Sequence, residues 1–128
     1  MKVAVPKETR PGELRVALVP QGVKALAKVG LKIVVETGAG AASGVSDNEY
    51  KEAGADVVGS TAEALTGAGI VLRVSPPSIS DPDEVSAISR GTILVSFLNP
   101  LENQALIRRL SEARISSISM ELVPRITR

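Results

Sequence analysis

Six short aliphatic runs, separated by segments that carry helix signals, constrain this chain more than any other feature in it. They are Val3–Val5, Lys32–Val35, Ala55–Val58, Ile70–Val74, Thr92–Phe97 and Ile115–Met120. Strand-length runs alternating with helices mark a parallel sheet, because parallel neighbours need a long crossover that is usually helical. Several runs are apolar almost throughout, as in Ile93-Leu94-Val95, which suits strands covered on both faces. The expected fold is therefore α/β, an open and mostly parallel sheet of about five or six strands with helices on both faces.

The helices announce themselves by their ends. A side-chain oxygen at the N-cap and a carboxylate three residues on satisfy amides that the helix leaves unpaired. Three such boxes are expected: Ser46 with Glu49, Ser60 with Glu63, and Asp81 with Glu84, the last with Pro82 at the first helical position. Asn99, Pro100 and Glu102 read as a similar start, with Asn99 as the cap. A further helix follows Pro20, places Val23, Leu26 and Ala27 on one face, and ends near Gly30. A length of 128 residues without internal repeat or linker is expected to form one domain, 1–128.

Composition removes most other function classes. Lys and Arg number 15 against 14 for Asp and Glu, and a net charge of +1 gives no general attraction to nucleic acid or anionic lipid. With no Cys and no His, the chain offers no thiolate nucleophile, disulfide, imidazole base or usual zinc or haem ligand. Tyr50 and Phe97 are the only aromatic residues, too few for a base-stacking platform. The apolar stretches fall well short of a membrane span, and Met1 leads straight into Lys2-Val3-Ala4-Val5 without a signal core. A cytoplasmic location is expected.

In open parallel sheets ligands gather beyond the carboxyl ends of the strands, so the loops leaving each run hold the candidate residues. The first, Pro6 to Arg15, is dense in charge, and two readings stand for it: a solvated loop with surface ion pairs, or a ligand-facing loop in which Arg15 is held near the strand ends. The Gly38–Gly44 segment lacks a third glycine where Ser43 stands, and the helix cap waits until Ser46 or Asp47. It therefore misses the dinucleotide fingerprint and reads as a turn that lets backbone pass close to a neighbour. Arg73, at the end of the fourth run, is expected to be paired. Glu121, Arg125 and Arg128 cluster after the last run, where two arginines beside a Pro turn suit either an anionic ligand or a solvated terminus.

Val5-Pro6-Lys7-Glu8 through Arg15-Val16-Ala17, Glu36-Thr37-Gly38-Ala39-Gly40, Ala53-Gly54-Ala55 and Met120-Glu121-Leu122-Val123-Pro124-Arg125-Ile126-Thr127-Arg128 together carry a family resemblance. Over its whole length the chain resembles the N-terminal domain shared by alanine dehydrogenases and the alpha subunit of proton-translocating NAD(P) transhydrogenase. The resemblance implies a Rossmann-like or flavodoxin-like fold without the dinucleotide fingerprint, followed in the family by a separate Rossmann domain that binds most of NAD(H). Alanine dehydrogenases carry a substrate-binding Arg in the first loop, which Arg15 matches, a Lys after the fourth strand and a His after the fifth. Ser75 and Asn99 stand in those last two places, so the resemblance favours the transhydrogenase branch.

That branch implies hydride transfer from NADH to NADP+ coupled to proton translocation, by the proton-translocating type of enzyme rather than the Si-specific class. It places Arg125, Ile126, Thr127 and Arg128 against NAD(H), with Arg15 as a possible loop on the substrate or nicotinamide side. NADP(H) belongs to a partner beta component. The expected partners are that component, a membrane-embedded component and a second copy of the subunit, at the cytoplasmic side of the membrane and without insertion into it. The chain alone is expected to be inactive. The alternatives are a fragment of an alanine dehydrogenase-like amino-acid dehydrogenase, or a non-catalytic binding domain of the same fold.

Overall fold

The computed structural model describes residues 1–80 and 83–122, and it joins all six expected strands in one sheet. The first half of the chain forms β1 (Lys2–Val5), α1 (Pro20–Lys28), β2 (Lys32–Glu36), α2 (Asp47–Ala53), β3 (Asp56–Val58) and α3 (Thr61–Leu65). The second half forms β4 (Ile70–Leu72), β5 (Ile93–Ser96), α4 (Gln104–Glu112) and β6 (Ser116–Ser119). Single 3-10 turns occupy Ala41–Ser43, Glu84–Ala87 and Met120–Leu122.

All neighbouring strands are parallel, in the order β3-β2-β1-β4-β5-β6. The chain winds outward from β1 to β3, returns to lay β4 against the free side of β1, and winds outward again to β6. The two windings meet between β1 and β4. The loops leaving those strands depart to opposite faces there, which opens a crevice at their carboxyl ends.

Side chains alternate across the pleat, and the register pairs Val3 with Ile33 and Ile70, and Ala4 with Val34 and Val71. Val3, Val5, Ile33 and Val35 consequently face Val23 of α1 and Tyr50 of α2. Ala4, Val34, Val71 and Leu94 face the other way, onto Leu65 of α3 and Leu106 and Leu110 of α4. Two cores, one per face, explain why the strand sequences are apolar at consecutive positions.

The helix starts divide into those local chemistry settles and those it does not. Ser46 and Glu49 form the full reciprocal box at α2, and Ser60 accepts from the Glu63 N–H at 3.2 Å at the start of α3. In the third expected box Asp81 and Pro82 lie outside the described residues, and no long helix follows them. Glu84 instead accepts from the Ser78 N–H at 2.7 Å and from Thr9 Oγ1 at 2.8 Å, so its carboxylate is engaged by other loops. Asp83 heads the single 3-10 turn by accepting from the Val85 N–H at 3.0 Å.

Asn99 is not the cap of α4, which begins at Gln104 after Asn103. It sits at φ +48°, and its carbonyl accepts the N–H groups of Glu102 and Asn103 in a separate turn that delays the helix. On α1, Val23 is buried and Leu26 half-buried, but Ala27 is exposed. With about 100° per residue the buried stripe is centred between Val23 and Leu26, which leaves Ala27 on its outer rim.

Candidate functional site

Glutamates at the strand exits stitch the carboxyl edge of the sheet together. Glu36, the last residue of β2, accepts from the Lys7 N–H at 3.0 Å and from Thr61 Oγ1 at 2.6 Å. Glu8, beyond β1, accepts from the N–H groups of Val74 at 2.9 Å and Ser75 at 3.0 Å beyond β4. Glu121, beyond β6, accepts from the N–H groups of Leu98 at 2.9 Å and Asn99 at 2.6 Å beyond β5. Amides that run past the end of the ladder need acceptors, and an ionised carboxylate supplies two strong ones.

Within the β1/β4 crevice Arg73 is buried, its side chain 4% exposed, between Glu8 at 3.9 Å and Glu84 at 3.7 Å. Its Nε donates to the Ser75 carbonyl at 3.1 Å, while Nη2 has no hydrogen-bond partner among the described residues. The expectation that Arg73 is paired therefore holds. Two carboxylates around one guanidinium offset the cost of burying the charge, and their removal would leave it uncompensated.

Arg15 lies on the open side of the same crevice, its side chain 67% exposed. Glu13 grips it through both oxygens, at 2.9 Å to Nε and 2.9 Å to Nη2, and the guanidinium carbon stands 5.9 Å from the centre of the Phe97 ring. Ser75 Oγ also donates to Glu13, at 2.6 Å. The Arg15 hydrogen bond, then that of Ser75, draw the Glu13 carboxyl down to about 2, with burial acting weakly the other way. A cavity of about 450 Å³ opens beside these groups, with Arg10, Glu13, Arg15 and Ser75 in its wall. The charge of Arg15 is already answered there by Glu13, so the cavity is not a strong anion site on that residue alone.

The structure thus brings Arg15, Ser75 and Arg73 to one crevice. Arg125, Ile126, Thr127 and Arg128 lie outside the described residues. The Gly38–Gly44 segment turns as expected, with left-handed glycines at 38 and 44, but Asp47 accepts the Gly38 N–H at 3.0 Å, so a carboxylate already fills the place an anionic ligand would take. Among the described residues no group of three or more acidic residues is placed to hold a metal ion. No described helix is long and apolar enough to cross a membrane. Sequence reasoning missed Glu8, Glu13 and Glu84 as the organisers of the crevice. The signal available for Glu8 was its position just beyond a strand end in a parallel sheet.

A doubly wound parallel domain, with a charged crevice at its switch point and no phosphate-cradling glycine turn, defines a class of accessory domain rather than a complete dinucleotide-binding unit. The chain belongs to the alanine dehydrogenase/PNT N-terminal domain family, whose model matches residues 4–128. It is 40% identical over 130 residues to an NAD(P) transhydrogenase subunit alpha protein of Rhodospirillum rubrum, covering 100% of this chain and 34% of that protein. It is 33% identical over 123 residues to alanine dehydrogenase of Mycobacterium tuberculosis, covering 96% of this chain and 32% of that protein. Among solved structures, the transhydrogenase from Sinorhizobium meliloti superimposes with a TM-score of 0.90 at 38% identity, over 98% of this chain and 35% of that one. An L-alanine dehydrogenase gives 0.86 at 31% identity, over 93% of this chain and 32% of that one. The chain spans about a third of the length of these relatives.

Proposed function

We propose that this chain is the N-terminal domain of the NAD(H)-binding alpha subunit of a proton-translocating NAD(P) transhydrogenase. In that role it supports hydride transfer from NADH to NADP+ coupled to proton passage through a membrane-embedded component. The observation that carries the reading is the fate of Ser75 and Asn99. Where a keto-acid site would want a cation and a proton donor, Ser75 hydrogen-bonds Glu13 and the Asn99 amide donates to Glu102 at 2.7 Å. Neither residue can protonate a substrate at neutral pH. Arg15, which a keto-acid site would aim at a carboxylate, is held by Glu13.

The nicotinamide, when bound, supplies the hydride chemistry, so a chain without His or Cys loses nothing essential. The task left to the protein is positioning. A Rossmann domain elsewhere in the subunit holds most of NAD(H), and Arg125, Ile126, Thr127 and Arg128 contact it from this side. NADP(H) sits on a beta component, and the subunit pairs with a second copy of itself at the cytoplasmic side of the membrane.

The test is single-turnover hydride transfer from NADH to an NADP+ analogue by the complete subunit with its partner component. Arg125→Ala at saturating NADH should slow transfer by about a hundredfold, as a displacement on the order of 1 Å does, while NADH affinity changes little. An unchanged rate removes Arg125 from the site. NAD-dependent alanine oxidation above roughly 1 s⁻¹, the low end for ordinary enzymes, would move the protein to the dehydrogenase branch.

A further inference from the structure

The exits of β5 and β6 are joined by one side chain. Glu121 Oε1 accepts from the Leu98 N–H and Oε2 from the Asn99 N–H, and Ser119 Oγ donates to Oε1 as well. Little else holds this end of the sheet. β6 is an edge strand whose Ser116, Ser117 and Ile118 are exposed, the turn Met120–Leu122 buries no residue, and Leu122 is 73% exposed. Apolar packing therefore cannot set where the backbone stands after β6. Hydrogen bonds must.

The partner of the clamp is itself a constrained turn. Asn99 is at φ +48°, a region that non-glycine residues seldom occupy, and the Leu98 side chain is buried in the core under α4. Asn103 Nδ2 donates to the Leu98 carbonyl at 2.8 Å, and the Asn99 carbonyl accepts from Glu102 and Asn103. The turn is thus anchored to the core and to the start of α4, and Glu121 reaches onto it from the exposed edge. Ser119 and the two amides keep the Glu121 carboxyl down at about 2, so the clamp is ionised throughout the working range.

Resting on the functional reading above, we infer that Glu121 is a positioning residue for hydride transfer. Its carboxylate fastens the end of β6 to the Leu98–Asn99 turn and so sets the point from which the backbone enters the segment that carries Arg125. The clamp transmits the rigidity of the α4 side of the core to the end of an edge strand that apolar packing does not fix. A positioning error of about 1 Å at that point is enough to slow a transfer whose efficiency depends on alignment.

The experiment uses the complete subunit with its partner component and three variants. Glu121→Ala removes the clamp, Glu121→Gln keeps the size and one acceptor oxygen, and Glu121→Asp keeps the charge on a shorter arm. Amide exchange across residues 97–103, NADH affinity, and single-turnover hydride transfer at saturating NADH are measured on each. Expected are faster exchange at Leu98 and Asn99, transfer slowed about a hundredfold in the Ala variant and about tenfold in the Gln variant, partial rescue by Asp, and an NADH Kd within about threefold of wild type. Equal loss of affinity and rate with a lowered Tm would make Glu121 a structural residue only and overturn the inference. An active wild type whose variants keep their rate overturns it as well, leaving the functional reading intact. A wild-type subunit that transfers no hydride from NADH to NADP+ overturns the functional reading itself, and this inference falls with it.

Discussion

At the level of single residues, Gly40 shows what a missing side chain is for. A β-carbon there would stand 2.8 Å from Tyr50 Cε2 and 2.8 Å from the Val45 β-carbon, closer than real contacts allow. Tyr50 cannot yield, because it is fully buried and its hydroxyl donates to the Leu18 carbonyl at 2.7 Å. Burial pushes that phenol up to about 12, so it remains a donor at any ordinary pH. Gly40→Ala should destabilise the chain by about 1–3 kcal/mol, the usual cost of overpacking, seen as a lower urea midpoint with an unchanged slope. That glycine lets backbone pass close to a neighbour was legible in the Gly38–Gly44 segment. That the neighbour is Tyr50 was not, because the contact depends on how α2 docks onto β1 and β2.

Among the helices and strands, local chemistry predicts a boundary only while its groups have no better partner elsewhere. Ser46 and Glu49 satisfy each other, and α2 starts where the sequence says it should. Ser46→Ala should cost roughly 1 kcal/mol by thermal or urea unfolding, within the range of about 0.5–2 for lost N-caps. Asn99 and Glu102 carry a similar local signal, yet Glu121 takes the Asn99 N–H from 22 residues away and the helix starts later, at Gln104. Glu84 is likewise drawn off by Thr9, Ser78 and Arg73. The strands were easier to place, since an apolar run buried on both faces leaves few alternatives. On the β4–β6 half of the α1/α2 face the cover is thinner, and Phe97, Ile118 and Met120 remain 42%, 47% and 39% exposed.

Across the domain as a whole, the carboxylate clamps make stability depend on acid. Glu13 and Glu121 are held at about 2 against an ordinary 4.5, and Asp47 is lowered by its bonds to Thr37 and Gly38. A folded-state pKa below the unfolded one means that the unfolded chain binds more protons in that window, so the stabilisation is fully present above about 4.5 and is lost as pH falls towards about 2. The urea midpoint should therefore be level from pH 7 to about 5 and then decline. A Glu13→Gln, Glu121→Gln double variant should show a shallower acid limb, and an equally steep one would mean that other carboxylates dominate.

The architecture and the exclusions follow from the sequence alone. Strand and helix periodicity, caps and near-continuous apolar runs are properties of neighbours along the chain, and absent residue types are absent in any fold. The motifs at both ends were also enough to identify the family, which the match over residues 4–128 bears out. Which charges face which is settled only in three dimensions. Glu8 is 66 residues from Val74, Glu13 is 62 from Ser75, and Glu121 is 23 from Leu98, and all three are joined because a doubly wound parallel sheet delivers every strand exit to one edge. A carboxylate has no sequence signal for a distant amide. Its partner is set by strand order, and strand order is settled by burying both faces of the sheet at once.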